Sequence, residues 1–586
     1  MSRPLEALSE ADVLASGVPV QDVDVLVAGS GAGGLAAAVA AADHGLRVVV
    51  AERAAVCGGA TSRSGGWAWT PRTALARAEG VDEDPQEVRE YLAAALGRWF
   101  TPEAAGQIDA FLEAVPEMVA FFHDRTRLRF VTGAKIHDIY GDLPGAGTGN
   151  RSVAPAPLHA RELPSGLLRL MARQYYPTSF LGMGIMAGAD LQGFLAASRL
   201  KPRGWVHAAR RVTPHLWDMA TRGRSLHLVN GTALTARLLW SAVDRSVEIS
   251  VRTPVQRLVV RDGTVCGALV GGPDGGRYVR AFRGVVLATG GYPQDVERRR
   301  ETFPRTPTGN EHWSLAPEEA DGAGIDLALS VGGDFDAQMR SPAAWCPVSL
   351  VPYPNGGRGV FPHIMDRAKP GTLGVVRSGR RFVNEANGYY DYVDGMLQAA
   401  PENSPVESWQ IADSTAVRRY PLGFAKPVPV PLLPYLRSGY LVKADTLEEL
   451  ARCCGIDPDG LRATVAEFNA DARQGEDRRF GRGSTPFNRY GGDPEAGPNP
   501  SLAPLERAPF YAVHVRPGSF GTFAGVRADA RSRVLNAAGE PVPGLYVAGN
   551  DRASIMRGHY PAGGINLGPA LAFGYVAGRD LAEARA

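Results

Sequence analysis

The feature that most constrains the fold is a glycine-rich turn between two apolar segments near the amino terminus. Residues 23–28 and 46–51 are short apolar runs typical of buried strands, and Glu52 ends the second run. Between them, residues 29–34 read Gly-Ser-Gly-Ala-Gly-Gly and lead into an alanine-rich stretch of high helix propensity. This spacing predicts a βαβ unit that binds a dinucleotide, with the pyrophosphate at the helix N-terminus and the ribose on Glu52.

A second glycine-rich turn lies near the other end of the chain. Residues 544–550 indicate a strand that ends in Ala-Gly-Asn, and residues 559–568 form a turn that leads into an apolar helix. Such a turn presents backbone N–H groups where the helix dipole favours negative charge. The two turns together predict one long cofactor held from both sides, with Tyr560 near its reactive end.

The order of the other elements predicts an α/β, Rossmann-like cofactor domain that is discontinuous in sequence. Residues 284–291 indicate a further parallel strand with a glycine turn, whereas residues 247–270 alternate like a small antiparallel sheet. An inserted α+β domain is expected to open at Pro304 and Pro307 and to end in the Gly/Pro-rich residues 491–504. The predicted domains are a first part of the cofactor domain at 20–300 with an insertion at 141–222, an inserted catalytic or capping domain at 301–507, and a second part of the cofactor domain at 508–586.

Charge and cysteine usage exclude several classes of protein. The 586 residues include 63 basic and 61 acidic side chains, a balance that argues against a nucleic-acid-binding protein. The five cysteines are scattered and are expected to be reduced thiols of a cytoplasmic protein, and no metal-site spacing is present. Residues 1–20 do not resemble a secretory signal peptide, and no uncharged apolar run reaches the ~18 residues of a membrane span.

One apolar segment, residues 164–200, allows two interpretations. It is followed by the basic residues Lys201, Arg203, Arg210 and Arg211. An apolar stretch beside basic side chains could make a weak peripheral contact with an anionic membrane through residues 164–211. The favoured interpretation is a buried segment that lines an apolar pocket where substrate enters.

These motifs resemble the FAD-dependent fumarate reductase/succinate dehydrogenase flavoprotein superfamily and are most similar to its 3-ketosteroid dehydrogenase branch. The segments that carry the resemblance are residues 24–53, 57–66, 222–239, 284–292, 378–392, 510–535 and 544–578. The resemblance implies FAD as cofactor, with its adenine end near residues 29–52 and its ring between residues 64–66 and 563–567. The implied cofactor-binding residues are Gly29, Gly31, Gly33, Gly34, Glu52, Arg53, Gly59, Ala60, Thr61, Ser64, Gly65, Gly66, Val255, Ala288, Thr289, Gly290, Gly549, Asn550, Asp551, Gly563, Ile565 and Leu567.

The substrate side separates the branches of this superfamily. Relatives that act on fumarate or succinate bind the dicarboxylate with histidine and arginine side chains. Here the motif at residues 381–385 is intact, but Tyr389 stands where those relatives carry a proton-shuttling arginine. Residues 520–525 lack the expected histidine, and Tyr560 aligns near the later arginine. A pocket without these cations would leave a buried dicarboxylate uncompensated, so the resemblance implies a neutral, apolar ketone such as a steroid.

The ketosteroid dehydrogenase pattern implies a role for four residues. Tyr389 would be the base that removes the α-proton, and Tyr560 and the Gly564 N–H would hold the ketone oxygen, with hydride transfer to flavin N5. An unperturbed tyrosine has a pKa of ~10 and is a poor base at neutral pH. Tyr389 would therefore need a lowered pKa or a proton relay to another hydroxyl, and the resemblance implies Tyr140 as that further tyrosine.

The favoured hypothesis is an FAD-dependent dehydrogenase that introduces a C=C bond next to a ketone, specifically a 3-ketosteroid 1-dehydrogenase with an external electron acceptor. Three alternatives stay open: a 3-ketosteroid 4-dehydrogenase, a fumarate reductase-like enoate reductase, and a non-enzymatic flavoprotein electron-transfer subunit. Ala562 argues against a 3-ketosteroid 4-dehydrogenase, because some 4-dehydrogenases of this superfamily carry serine at this position. The missing histidine and arginine argue against an enoate reductase.

Overall fold

A nine-stranded sheet joins the two ends of the chain. In the computed structural model, which describes residues 5–272 and 275–583, five strands of this sheet run parallel. Their order is Glu248–Ser250, Val48–Ala51, Val20–Ala28, Arg277–Leu287 and Pro541–Val547. The central strands carry runs of buried apolar residues, as expected for parallel strands covered on both faces. The predicted discontinuous α/β fold is confirmed, since an amino-terminal and a carboxy-terminal strand flank the same central strand.

The rest of this sheet is antiparallel or lies at its edge. Arg277–Leu287 also pairs with Thr264–Val270, which in turn pairs with Val255–Arg261. Leu8–Ser9 and Arg533–Leu535 complete the sheet. The expectation that residues 247–252 belong to the antiparallel group is wrong, because Glu248–Ser250 pairs in parallel with Val48–Ala51.

A seven-stranded sheet organises the middle of the chain. Its main order is Arg358–Pro362, Ala343–Pro352, Phe510–Thr522, Ser408–Asp413 and Thr372–Val375, with Trp313–Ser314 and Val442–Ala444 also paired to Phe510–Thr522. The predicted domain limits stay a prediction. The strand Phe510–Thr522, which follows the predicted boundary at 507, forms its hydrogen bonds within this second sheet.

Short sheets and helices fill the remaining chain. The short sheets pair Ala68–Trp69 and Phe130–Thr132 with Ser152–Pro155, Leu158–His159 with His227–Leu228, and Phe335–Asp336 with Gly525–Val526. The α-helices are Glu10–Ala15, Ala32–Asp43, Gly59–Arg63, Ala74–Ala78, Pro85–Leu96, Pro102–Arg125, Ala189–Ser198, Pro202–Arg222, Asn230–Val243, Val296–Thr302, Ala323–Leu329, Tyr389–Ala399, Ser414–Arg419, Leu433–Arg437, Leu447–Cys454, Pro458–Gln474, Pro486–Gly491 and Leu567–Glu583. The 3₁₀ turns are Gly97–Trp99, Ala160–Glu162, Leu167–Leu170, Tyr176–Thr178, Asp366–Ala368 and Gly549–Asp551.

Two helices bring the glycine-rich turns together. Ala32–Asp43, which is almost entirely buried, packs along Leu567–Glu583. A Cβ atom on Gly574 would lie 2.3 Å from the Gly33 carbonyl oxygen. The helix axes can therefore approach closely only because Gly574 has no side chain. Since both helices follow a glycine-rich turn, this packing places the two turns side by side.

Candidate active site

A cavity of about 2030 Å³ is bordered by residues of both sheets and by both glycine-rich turns. It is larger than the ~300–1,000 Å³ of a typical small-molecule pocket, so it has room for a dinucleotide and a second molecule. Most of the predicted cofactor-binding residues border it. These are Gly29, Gly31, Gly33, Glu52, Arg53, Gly59, Ala60, Thr61, Ser64, Gly65, Gly66, Val255, Ala288, Thr289, Gly290, Gly549, Asn550, Gly563 and Leu567.

Glu52 is held in one orientation at the end of its strand. Its Oε2 accepts hydrogen bonds from the Ser30 backbone N–H at 3.0 Å and from the Ser30 hydroxyl at 2.5 Å. Its Oε1 accepts from the Ala54 N–H at 2.8 Å. Carboxylate oxygens can accept further hydrogen bonds beyond these. The carboxylate is thus fixed with acceptor capacity left for a ligand in the cavity.

Three predicted cofactor residues, Gly34, Asp551 and Ile565, are not among those that border the cavity. A Cβ on Gly34 would lie 2.1 Å from the Gly29 carbonyl oxygen, so this glycine permits tight packing inside the turn. The fully buried Asp551 carboxylate accepts hydrogen bonds from the Thr289 N–H at 2.5 Å and the Gly291 N–H at 2.7 Å. Burial raises the pKa of Asp551, and the hydrogen bonds oppose that shift. Asp551 thereby fixes the loop at residues 289–291, part of which borders the cavity.

The turn before the helix Leu567–Glu583 offers a free donor. Gly564 has a φ of +100°, and a Cβ there would lie 2.7 Å from the Trp69 nitrogen, so the position requires glycine. Throughout residues 5–272 and 275–583, no protein group accepts a hydrogen bond from the Gly564 N–H. Because Gly564 borders the cavity, this N–H can donate to an oxygen atom of a bound molecule.

Tyr389 and Tyr560 meet at the cavity wall. Tyr389 is the first residue of the helix Tyr389–Ala399, and its ring packs edge-on against that of Tyr560 with 4.8 Å between centroids. The Phe520 ring packs edge-on against Tyr389 from another side, at 5.1 Å. Burial, and then the neighbouring Tyr560 hydroxyl, raise the pKa of Tyr389, and burial raises the pKa of Tyr560. Both hydroxyls are therefore neutral donors at neutral pH.

Tyr140 lies behind this pair. Its hydroxyl donates a hydrogen bond to Asp391 Oδ1 at 2.9 Å, and it is not among the residues that border the cavity. Burial raises the pKa of Asp391 to about 6, and its Oδ2 is buried without a hydrogen-bond partner among the described residues. The relay role of Tyr140 stays a prediction. The sequence analysis missed Asp391, although it lies two positions after Tyr389 in a tyrosine-rich run.

The sequence analysis also missed several wall residues. They are Phe361, Lys369, Lys426, Phe487, Tyr490 and Phe520, most of them from the segment between 301 and 507. Residues 185–193 of the apolar segment also border the cavity. The aromatic rings make the wall largely apolar, and the lysines add positive charge to it. No local motif marked the two lysines, because only the folded chain brings them to the wall.

The next helix exposes apolar side chains. On Pro202–Arg222, the relative exposures of Trp205, Leu216 and Trp217 are 44%, 50% and 66%. His215 of this helix contacts the Leu181 carbonyl oxygen at 3.1 Å, and Arg211 binds Asp190. The helix therefore covers the segment that borders the cavity. None of the helices within the described residues combines the length and apolar character needed to cross a bilayer.

Comparisons with known proteins agree over nearly the whole chain. A family model described as FAD binding domain matches residues 24–567. A 4-oxocyclohex-2-ene-1-carboxylate 5-dehydrogenase of Sinomonas cyclohexanicum is 39% identical over 563 residues, which cover 96% of this chain and 94% of the relative. A 3-oxosteroid 1-dehydrogenase of Mycobacterium tuberculosis is 35% identical over 579 residues, which cover 96% of this chain and 99% of that relative.

A solved structure has the same fold. It is a 3-ketosteroid delta1-dehydrogenase from Sterolibacterium denitrificans in complex with 1,4-androstadiene-3,17-dione. Its sequence is 31% identical to this chain, and the TM-score is 0.87. The match covers 96% of this chain and 100% of the Sterolibacterium chain.

Proposed function

This chain belongs to the FAD binding domain family, and we propose on that basis that it dehydrogenates a cyclic ketone next to its carbonyl group. The specific activity we propose is that of a 3-ketosteroid 1-dehydrogenase, which introduces a double bond between carbons 1 and 2. Two observations support the proposal: the Tyr389 and Tyr560 rings contact each other at the cavity wall, and the free Gly564 N–H borders the same cavity.

The expected superfamily, cofactor and enzyme class are confirmed. The family description names FAD, and the relatives are dehydrogenases named for cyclic ketones. The chain is thus an FAD-dependent oxidoreductase that acts on CH–CH groups. The walls suit FAD, because the fixed Glu52 carboxylate and the free Gly564 N–H both border the cavity.

The side chains at the cavity wall suggest how the first step, removal of the α-proton, takes place. The Tyr560 hydroxyl and the Gly564 N–H donate hydrogen bonds to the ketone oxygen and stabilise the negative charge that develops there. Tyr389 removes the α-proton. Its raised pKa makes the tyrosinate a strong base, but only a small fraction is ionised. Hydrogen bonds that strengthen as the enolate forms are therefore needed to make proton removal fast.

The second step would remove a hydride from the β-carbon. FAD, when bound, would supply the acceptor for this hydride. As it leaves, the enolate electrons form the new C=C bond and the ketone is restored, so the substrate loses one proton and one hydride. Turnover then requires an external electron acceptor, which we also propose for this enzyme.

The proposed function is tested by mixing the FAD-loaded enzyme anaerobically with androst-4-ene-3,17-dione. We expect loss of the absorbance of oxidised flavin and formation of the 1,4-diene, which mass spectrometry and NMR would identify. A 4-dehydrogenase would leave this 4-ene unchanged and would instead act on the saturated 5α-ketone. No loss of absorbance with any 3-ketosteroid would overturn the steroid assignment.

We further propose that the helix Pro202–Arg222 rests on an anionic membrane surface. Trp205 and Leu216 are eleven positions apart, as are Val206 and Trp217, so each pair lies on one ridge of the helix. Arg203 and Arg210 are also exposed and would contact lipid phosphates. An apolar substrate could then pass from the bilayer under this helix to residues 185–193.

Vesicle cosedimentation tests this contact. We expect binding to phosphatidylglycerol vesicles, weaker binding to phosphatidylcholine vesicles, and loss of binding in the double variant Trp205→Ser, Trp217→Ser. The variant Leu433→Ser, at an exposed apolar residue of another helix, is the control that should still bind. Equal sedimentation with and without vesicles would reject the proposal.

A further inference from the structure

Lys426 places a cation on the apolar wall of the cavity. Its side chain is half-buried and borders the cavity. Its Nζ lies 5.3 Å from the centroid of the Phe424 ring and 5.5 Å from that of Phe361. In the described part of the chain, no carboxylate oxygen comes within 4.0 Å of this Nζ, and no protein group accepts a hydrogen bond from it. The aromatic rings are thus its main partners.

The neighbouring groups do not neutralise this charge. Asp366, the nearby acid on the wall, is committed elsewhere, because its Oδ2 lies 2.7 Å from His363 Nδ1 and accepts from the Gly423 N–H at 3.1 Å. Lys369 also borders the cavity and donates to the Gly491 and Gly492 carbonyl oxygens at 2.7 and 2.8 Å. Lys426 and Lys369 thus add two ammonium groups to the cavity lining, and the Asp366 carboxylate beside them is already hydrogen-bonded.

Both lysines are protonated at neutral pH. Burial lowers the pKa of Lys426 to about 8 and that of Lys369 to about 8, while Asp366 opposes the shift of Lys426. A buried ammonium without a counter-ion is unfavourable, and contact with two aromatic rings compensates it only in part. Lys369 has two carbonyl acceptors, whereas Lys426 has none. Lys426 is therefore a cation on this wall that an anionic ligand would satisfy.

We propose that Lys426 binds an anionic group of the ketone substrate, so that the enzyme prefers cyclic ketones that carry a carboxylate away from the reacting carbonyl. The inference rests on the proposed function, because the substrate occupies the same cavity as Tyr389 and Tyr560. The carboxylate could belong to a small cyclic keto acid or to the side chain of a steroid acid. Both would place an oxygen anion against the free ammonium.

Two matched pairs of substrates test the inference and separate these sources. The small pair is 4-oxocyclohexane-1-carboxylate and its methyl ester, and the large pair is 3-oxoandrost-4-ene-17-carboxylate and its methyl ester. The readout is the ratio of kcat/KM for each acid to that for its ester. We expect a ratio of about tenfold to a hundredfold in at least one pair, as for a hydrogen bond to a charged group. The pair that shows it identifies the source of the carboxylate.

Lys426→Met should abolish this preference, mainly through a higher KM for the acid. Lys426→Arg should retain most of it. Lys443→Met, at an exposed lysine on the strand Val442–Ala444, should leave the ratio at the wild-type value. A wild-type ratio near one in both pairs, or a preference that survives Lys426→Met, would overturn the inference.

Failure of the proposed dehydrogenase activity can be distinguished from failure of the proposed anion site. Binding is followed separately by titrating each compound into the FAD-loaded enzyme and recording the flavin difference spectrum. If no ketone is dehydrogenated but the acids bind and lose affinity in Lys426→Met, the anion site is supported and the proposed reaction is rejected. If the acids bind equally well to wild type and Lys426→Met, the anion site is rejected whatever the turnover.

Discussion

At the scale of single residues, the site combines neutral donors with one fixed backbone N–H. The sequence predicts Tyr389 and Tyr560 in place of the arginines of dicarboxylate-binding relatives. The two rings contact each other, and Tyr389 also contacts Phe520. Gly564 has a positive φ, and its N–H finds no acceptor among the described residues, so it can serve as a donor to a bound molecule. Such an arrangement favours an oxygen that gains charge during the reaction over one that is charged at the start.

Tyr560→Phe should slow the reaction by roughly tenfold to a thousandfold, because it removes one of the two donors to the ketone oxygen. The measurement is the rate of flavin reduction after rapid anaerobic mixing with saturating ketone. Tyr390→Phe is the matched control, since the Tyr390 hydroxyl bonds Ser341 and does not border the cavity. Equal rates in wild type and Tyr560→Phe would show that Tyr560 does not hold the oxygen.

Asp391→Asn should make the protein more stable at neutral and alkaline pH. Burial raises the pKa of Asp391 to about 6, above the unfolded value of ~3.9, so the folded state binds this proton more tightly. The stability that the protonated acid contributes is complete below ~pH 4 and is lost as the pH rises through about 6.

The asparagine keeps an oxygen that accepts from Tyr140 and cannot ionise. The Tm of the variant should therefore exceed that of wild type at ~pH 8 and approach it at ~pH 4. A lower Tm for the variant at ~pH 8 would contradict this account.

At the scale of elements, glycines control how closely helices approach the cofactor turns. Ala32–Asp43 and Leu567–Glu583 each start next to a turn, and they contact each other through Gly33 and Gly574. The packing of this helix pair therefore sets the spacing between the two glycine-rich turns. The strand order also brings the two turns close together, because Val20–Ala28 and Pro541–Val547 both pair with Arg277–Leu287.

Gly574→Ala should lower both the stability and the affinity for FAD. The added Cβ would lie 2.3 Å from the Gly33 carbonyl oxygen, so one helix must move, at a cost of about 1–3 kcal/mol. Urea unfolding and FAD titration of the apo protein provide the measurement.

Gly106→Ala is the control for this change. Gly106 is exposed in the helix Pro102–Arg125, and an added Cβ would meet no atom within 4 Å. It should stabilise the protein by about 0.5–1 kcal/mol. If Gly574→Ala, like Gly106→Ala, lowered neither the stability nor the affinity for FAD, the close contact between the two helices would not control the spacing of the turns.

At the scale of the whole molecule, one cavity is bordered by residues of both sheets. The nine-stranded sheet contributes the turns at residues 29–34 and 549–550, and the middle of the chain contributes Tyr389 and the lysines. A bound dinucleotide therefore contacts segments that are far apart in sequence. Its binding free energy adds directly to the stability of the folded chain.

Removal of FAD should lower the Tm, and adding it back should restore the original value. At a free FAD concentration of 100 times Kd, the expected stabilisation is about 2.7 kcal/mol. Differential scanning calorimetry of apo and reconstituted protein would measure it. Adenosine diphosphate alone should restore part of the Tm, since it fills only the end near Glu52. A Tm that does not depend on FAD would contradict a site built into the folded core.

The sequence by itself determined the cofactor and the class of substrate group. Glycine spacing at residues 29–34 and 563–564 and the short apolar strands are local patterns, because each follows from the backbone geometry of a few adjacent residues. The resemblance to a family led to the prediction that Tyr389 and Tyr560 take the place of arginines. These local and motif-based features were sufficient to predict the α/β fold and FAD.

Only the tertiary structure decided which distant residues meet. It paired Glu248–Ser250 with Val48–Ala51, placed Phe510–Thr522 in the second sheet, and turned the Tyr140 hydroxyl to Asp391. It also brought Lys426 to the cavity wall with no carboxylate partner among the residues that the structure describes. Such contacts depend on long-range packing and on charges that burial leaves uncompensated, and no local periodicity encodes them.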